Sequence, residues 1–129
     1  MNQSTRPEGI QLHSRSRQLE LTYPGGDRHS LSCEFLRVYS PSAEVKGHGP
    51  GQEVLQTGKQ RVAITAIRPV GNYAIQLVFD DGHDTGIYSW DYLSHLCTNR
   101  EALWTDYLQR LDAAGATRDP DEQVVRLQL

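Results

Sequence analysis

Thiols are scarce in this chain: Cys33 and Cys97 are two, too few for a disulfide framework. Both sit in apolar contexts, which predicts free thiols in a reducing, cytoplasmic compartment. Also missing is any apolar run approaching the roughly 20 residues that a membrane-spanning helix needs. Met1 to Gln18 is polar and carries Arg6, Arg15 and Arg17 where a signal peptide would hold its apolar stretch. A soluble, unsecreted protein with no membrane role is expected. Positive charge is not in excess either. The formal net charge is −3, so the overall field exerts no pull toward nucleic acid. Arg37, Lys46, Lys59, Arg61 and Arg68 form a local basic set, but Glu44 and Glu53 lie among them, which reads as a mixed, solvated face. There is no internal repeat and no low-complexity tract.

Catalytic signatures are equally thin. Gly58-Lys59 resembles the end of a phosphate-binding loop, but that motif needs glycine where Glu53 stands and Ser or Thr where Gln60 stands. Gly47, Gly49 and Gly51 alternate as in a dinucleotide loop, yet Pro50 intervenes and no glycine-led helix follows a strand. None of His13, His29, His48, His83 and His95 is followed two residues later by a carboxylate, as the iron triad of non-haem oxygenases requires. No serine occupies a nucleophile elbow, and neither cysteine has an evident histidine partner. The expectation is a protein that is not an enzyme and uses no cofactor.

What the sequence does contain is one globular domain. Its 129 residues are 37% apolar and 22% charged, enough to build a single core and too few for a second. Residues 1–17 read as a polar, flexible leader, 18–116 as the domain, and 117–129 as a tail, frayed despite its Val124, Val125, Leu127 and Leu129. Within the domain, Gln18 to Tyr23 alternates, Pro24-Gly25-Gly26-Asp27 turns, and Arg28 to Ser32 returns as a hairpin. Cys33 to Val38 crowds its apolar residues and suits one short helical turn. Residues 39–58 are dense in Gly and Pro and form a long loop, the first place to look for function.

Further on, Arg61 to Pro69 pairs with the strict alternation of Tyr73, Ile75, Leu77 and Phe79, and after the Asp81-Gly82 turn Thr85 to Tyr88 completes a meander. Ser89 can cap a helical segment running to Gly115, either one long helix or two broken near Thr98-Asn99. Sheet first and helix last predicts an α+β fold: a small, mostly antiparallel sheet with a C-terminal helix packed on one face.

Several blocks in one order carry a resemblance. They are Phe35-Leu36-Arg37-Val38-Tyr39-Ser40-Pro41-Ser42-Ala43-Glu44-Val45, Gly47-His48-Gly49-Pro50-Gly51, Val70-Gly71-Asn72-Tyr73-Ala74 and the run from Phe79-Asp80-Asp81-Gly82-His83 to Trp90. Over roughly Leu19 to Leu96 the chain resembles the gamma-butyrobetaine-hydroxylase-like N-terminal domain family. In the hydroxylases this domain precedes an iron and 2-oxoglutarate catalytic domain, absent here, and holds a structural zinc through three cysteines and one histidine. The resemblance puts Ser40, Ser42 and Val45 at the cysteine positions and keeps the histidine as His83. One imidazole cannot hold a closed tetrahedral zinc site, so no such zinc is expected. Pro41 and hydroxyl hydrogen bonds would hold the loop instead.

Similar domains are appended to P-loop ATPases that carry iron–sulfur clusters, which implies an accessory role beside metallocofactors. The expected function is therefore an uncharacterised, non-catalytic binding domain for a protein partner. Its surface would comprise Arg37, Ser40, Ser42, Glu44, His48, Asp81, His83 and Trp90. The alternative is a small metal-binding protein in which His48 and His83 converge with a carboxylate from Glu44, Asp80, Asp81 or Asp84.

Overall fold

The computed structural model describes residues 5–121. Strands β1 (Gly9–His13), β2 (Gln18–Thr22) and β3 (Arg28–Ser32) pair antiparallel in that order. The β2–β3 hairpin follows from the alternation of Leu19 and Leu21, both wholly buried, and from a turn whose Gly25 and Gly26 each adopt φ 93°, open to glycine without strain. Strand β1 corrects the leader expected through residue 17. Ile10 and Leu12 stand opposite Leu21 and Leu19 and pack against the core. Two apolar residues in an otherwise polar stretch were too short an alternation to betray a strand.

Helix α1 (Cys33–Val38) starts where Ser32 Oγ accepts a hydrogen bond from the Phe35 amide at 3.0 Å. All six of its residues are buried, including Glu34 and Arg37, which explains the crowded apolar spacing. The long segment that follows is not uniformly loop. It contains a single helical turn, α2 (Ala43–Lys46), with Ser42 as its cap.

The second meander is β4 (Ile64–Val70), β5 (Ala74–Phe79) and β6 (Gly86–Ser89), again antiparallel. Tyr73, expected in the strand, lies in the preceding turn and is 58% exposed. Among the described residues the strands thus form two three-stranded sheets where one was expected. They share one core, in which Leu19, Leu21 and Leu31 of the first meet Ile75, Leu77 and Phe79 of the second. Phe35 and Leu36 of α1 lie in the same cluster. Each fully buried leucine here contributes about 1.5–3 kcal/mol.

The C-terminal segment is two helices, α3 (Trp90–Thr98) and α4 (Arg100–Ala113). Ser89 caps α3 by accepting from the Tyr92 amide at 3.1 Å. Asn99 ends it, because its backbone and side-chain amides both donate to the His95 carbonyl, at 3.0 and 2.9 Å. Leu93 and Leu96 of α3 enter the shared core, whereas Tyr107 and Leu111 of α4 cover Val38 in a smaller cluster. An α+β fold with its C-terminal helix on the sheets is what the sequence predicted.

Residues 117–121 do not fray. The Thr117 and Arg118 carbonyls accept from the Gly58 and Gln60 amides, both at 2.9 Å. Arg118 forks onto the buried Glu34 carboxylate at 2.7 and 2.6 Å, with its guanidinium 5.0 Å from the Trp104 ring centroid. Val124, Val125, Leu127 and Leu129 lie outside the described residues.

Candidate functional site

Two segments far apart in sequence meet beside the second sheet. One runs from the end of α1 through α2; the other connects β5 to β6. Ser40 and Ser42 lie two residues apart, as do His83 and Thr85, so in extended backbone each pair faces one way. Gly86 allows the approach: a Cβ there would stand 2.6 Å from Ser40 Oγ.

The side chains close a ring. Ser40 Oγ and His83 Nε2 are 2.7 Å apart, His83 Nδ1 and Glu44 Oε2 3.1 Å, Thr85 Oγ1 and Glu44 Oε1 3.1 Å, and Ser42 Oγ and Thr85 Oγ1 2.7 Å. Chemistry fixes the donors. The Glu44 carboxylate can only accept, so His83 Nδ1–H and the Thr85 hydroxyl donate to it. In neutral His83, Nε2 then accepts from the Ser40 hydroxyl, and Ser42 donates to Thr85. The Ser42 amide donates to Ser40 Oγ at 3.2 Å and closes the circuit.

Beside the ring lies an ion cluster. Arg37 Nε donates to Asp81 Oδ2 at 2.8 Å, Lys59 Nζ donates to the same oxygen at 2.6 Å, and Asp81 Oδ1 accepts from the His83 amide at 3.2 Å. Burial works to raise the Asp81 carboxyl, but the hydrogen bonds from Lys59, Arg37 and the His83 amide outweigh it and hold the group at about 2. Thr85 and Lys59 were not among the residues expected on the binding surface; in the sequence Lys59 reads only as part of a mixed, solvated basic set. The two-residue spacing from His83 is the signal that could have found Thr85.

The structure brings together Arg37, Ser40, Ser42, Glu44, Asp81 and His83, six of the residues expected on one surface. Trp90 is not with them. It stands at the far end of β6, where its indole donates to the Asn72 carbonyl at 2.8 Å. His48 is also apart, lining a depression on the α4 side of the segment. Among the described residues no three His, Cys, Asp or Glu side chains gather as a metal would require, so the His48–His83 alternative gains nothing from the geometry. Zinc of the hydroxylase kind does not fit either: Ser40, Ser42 and Val45 offer no thiolate, and both nitrogens of His83 are engaged.

The connectivity Glu44–His83–Ser40 matches the relay of a serine hydrolase. Yet Ser40 is 0% exposed, and its hydroxyl oxygen also accepts from the Ser42 amide. A nucleophile must reach its substrate, and this one is sealed. The ring fastens two segments together.

The fastening is pH-dependent through His83. Burial, then the nearby Arg37 charge, push its pKa below the usual 6.5, against the opposing pull of Glu44 and Asp81. With the folded value below the unfolded one, the unfolded chain takes up a proton first. Stability is therefore full above about pH 6.5 and is lost as pH falls through that value toward the depressed one. Thermal unfolding followed by circular dichroism should give a midpoint that is flat above about pH 7 and drops as pH falls below about 6.5. His83→Gln should start lower and lose that slope; an unchanged slope would place the titrating group elsewhere.

The comparisons with known proteins agree with this architecture. A family model described as gamma-butyrobetaine hydroxylase-like, N-terminal, matches residues 10–94. No curated protein matches. Two proteins with NMR solution structures are similar: one is 54% identical with a TM-score of 0.79, covering 95% of this chain and 97% of its own, and another is 53% identical at 0.76, covering 100% and 98%. A crystal structure of a protein of unknown function from Acidithiobacillus ferrooxidans, of the DUF971 family, is 39% identical with a TM-score of 0.60 over 71% of this chain and 92% of that one. No helix among the described residues is long and apolar enough to cross a membrane. With the greater part of its length inside the matched model, the chain belongs to the gamma-butyrobetaine hydroxylase-like N-terminal family.

Proposed function

We propose that the chain is a non-catalytic binding module that presents the α2 segment and the β5–β6 connection as one surface to a protein partner. The hydrogen-bonded ring carries this reading. It ties the two segments into a fixed shape, which lowers the entropy that a partner must remove on docking. Ser40, Ser42, Arg37 and His83 are buried and supply the fastening; Glu44, Thr85 and Asp84 stand outward and supply the contact. The sealed Ser40 supports a role without catalysis. Free Cys33 and Cys97 suit a cytoplasmic setting. The resemblance directs the search for the partner to iron–sulfur and oxygenase systems.

Gly47 gives a clean probe. Its φ of 71° and a would-be Cβ 2.1 Å from the Gln52 carbonyl oxygen mean that alanine must displace the loop after α2, with the core untouched. In affinity capture from extract, partners recovered by the wild type should be lost with Gly47→Ala while its circular dichroism stays native. Identical recovery by both, or none above control, would remove the support for this surface.

A further inference from the structure

On the α4 side of the same segment lies an open depression of about 510 Å³. That is within the usual range for small-molecule sites, about 300–1,000 Å³. Its floor is apolar and aromatic, made by Val38, Val45, Tyr92 and Tyr107, and Val54 stands 53% exposed at its edge. A concave apolar floor of this kind is surface that a ligand body can cover.

The lining carries two cations, Lys46 and Arg110, against one acid, Glu53. Lys46 Nζ sits 4.5 Å from the Tyr92 ring centroid and has no carboxylate partner among the described residues. The exposed His48 ring likewise makes no hydrogen bond among them. Arg110 forms another part of the wall, donating to Asp106 at 3.0 Å and to the Tyr39 hydroxyl at 3.1 Å. The acid in the lining, Glu53, is turned toward its own loop, where it accepts from the Gly51 amide at 3.3 Å.

We propose that this depression binds an organic monocarboxylate with an aromatic or branched aliphatic body. The body lies on the valine and tyrosine floor, and the carboxylate meets Lys46 and His48. Charge complementarity selects the anion, since an ammonium held over a ring and lacking an acid partner strengthens its bond to an arriving carboxylate. This reading goes beyond the protein-binding surface and uses the other side of the same α2 segment: capture can fail while the depression fills, and the reverse.

The test is an amide-resolved NMR titration of the full chain with 4-phenylbutyrate, with 4-phenylbutan-1-ol as the neutral counterpart and inorganic phosphate as the bare anion. Phenylbutyrate should produce saturable shifts at Val45 to Val54 and at Arg110. The alcohol should bind about tenfold more weakly, the difference expected from one charge-assisted hydrogen bond. Lys46→Gln, an exposed substitution whose free spectrum should stay dispersed, should weaken phenylbutyrate about fivefold or more. Equal affinity for the alcohol, equal affinity for phosphate at the same amides, wild-type affinity in Lys46→Gln, or no shift at about 10 mM ligand would each overturn the proposal.

Discussion

Asp81→Asn is expected to destabilise the protein by about 3–5 kcal/mol, the usual cost of stranding one member of a buried ion pair. The Arg37 side chain is 9% exposed, and its Nη1 already lacks a hydrogen-bond partner. Removing the carboxylate leaves the guanidinium without its counter-charge in a place water hardly reaches. Asparagine keeps the volume and an acceptor for the His83 amide, so the loss reports charge. Urea unfolding should show the full cost, and the thermal midpoint should fall by on the order of 10 °C. A loss below about 1 kcal/mol would mean that Arg37 finds compensation elsewhere.

Combining Asp81→Asn with Arg37→Met should recover much of the loss, because a well-packed neutral pair is no worse than the ion pair it replaces. The same carboxyl sets the acid limit. With Asp81 held at about 2 against the usual 3.8, its stabilisation is present above pH 3.8 and is lost as pH falls through about 2.

Arg118→Met should cost about 3 kcal/mol, the lower end of the range for breaking a buried pair, because Arg118 is 35% exposed and can exchange its partner for water. Glu34 cannot: its side chain is 6% exposed and receives both prongs of the guanidinium. The hydrogen bonds to Glu34 raise the Arg118 pKa, so the arginine stays charged at any pH the fold survives. Methionine preserves the stem over Trp104 and removes the fork. Hydrogen exchange adds a local readout, since the Gly58 and Gln60 amides bond to the Thr117 and Arg118 carbonyls. Both should lose protection in Arg118→Met, and the double variant with Glu34→Gln should regain stability. Unchanged exchange would show that backbone pairing alone holds the terminus.

Much of this architecture was legible in the sequence, for reasons particular residues make plain. Leu19 and Leu21, then Ile75, Leu77 and Phe79, alternate because one face of each strand is buried, and Ser89 announced α3 through its capping chemistry. Strand β1 was hidden because Ile10 and Leu12 stand alone among polar neighbours. The docking of residues 117–121 was hidden because it rests on long-range pairs, Arg118 with Glu34 across 84 positions, Arg61 with Asp119 and Asp121, and the backbone bonds from Gly58 and Gln60, which no local periodicity encodes.

At the candidate site, Ser40, Ser42 and His83 were singled out from the family resemblance and Glu44 as a loop carboxylate near His48, and the structure joins the four. What the sequence could not supply was their function within the ring. Whether a serine near a histidine is nucleophile or fastener depends on burial, which is a tertiary property. Trp90 was grouped with them by proximity along the chain, although the length of β6 carries it to the other end of the sheet.

Each meander pairs only strands that are neighbours in the chain, without crossovers. Such local closures have small loop entropies, and topologies dominated by them cross their folding barrier quickly. The bonds from Ser40 to His83 and from Arg118 to Glu34 span 43 and 84 positions and can close only once both meanders exist. They are expected to form on the late side of the barrier, so that Arg118→Met should speed unfolding and leave the folding rate nearly unchanged in stopped-flow kinetics.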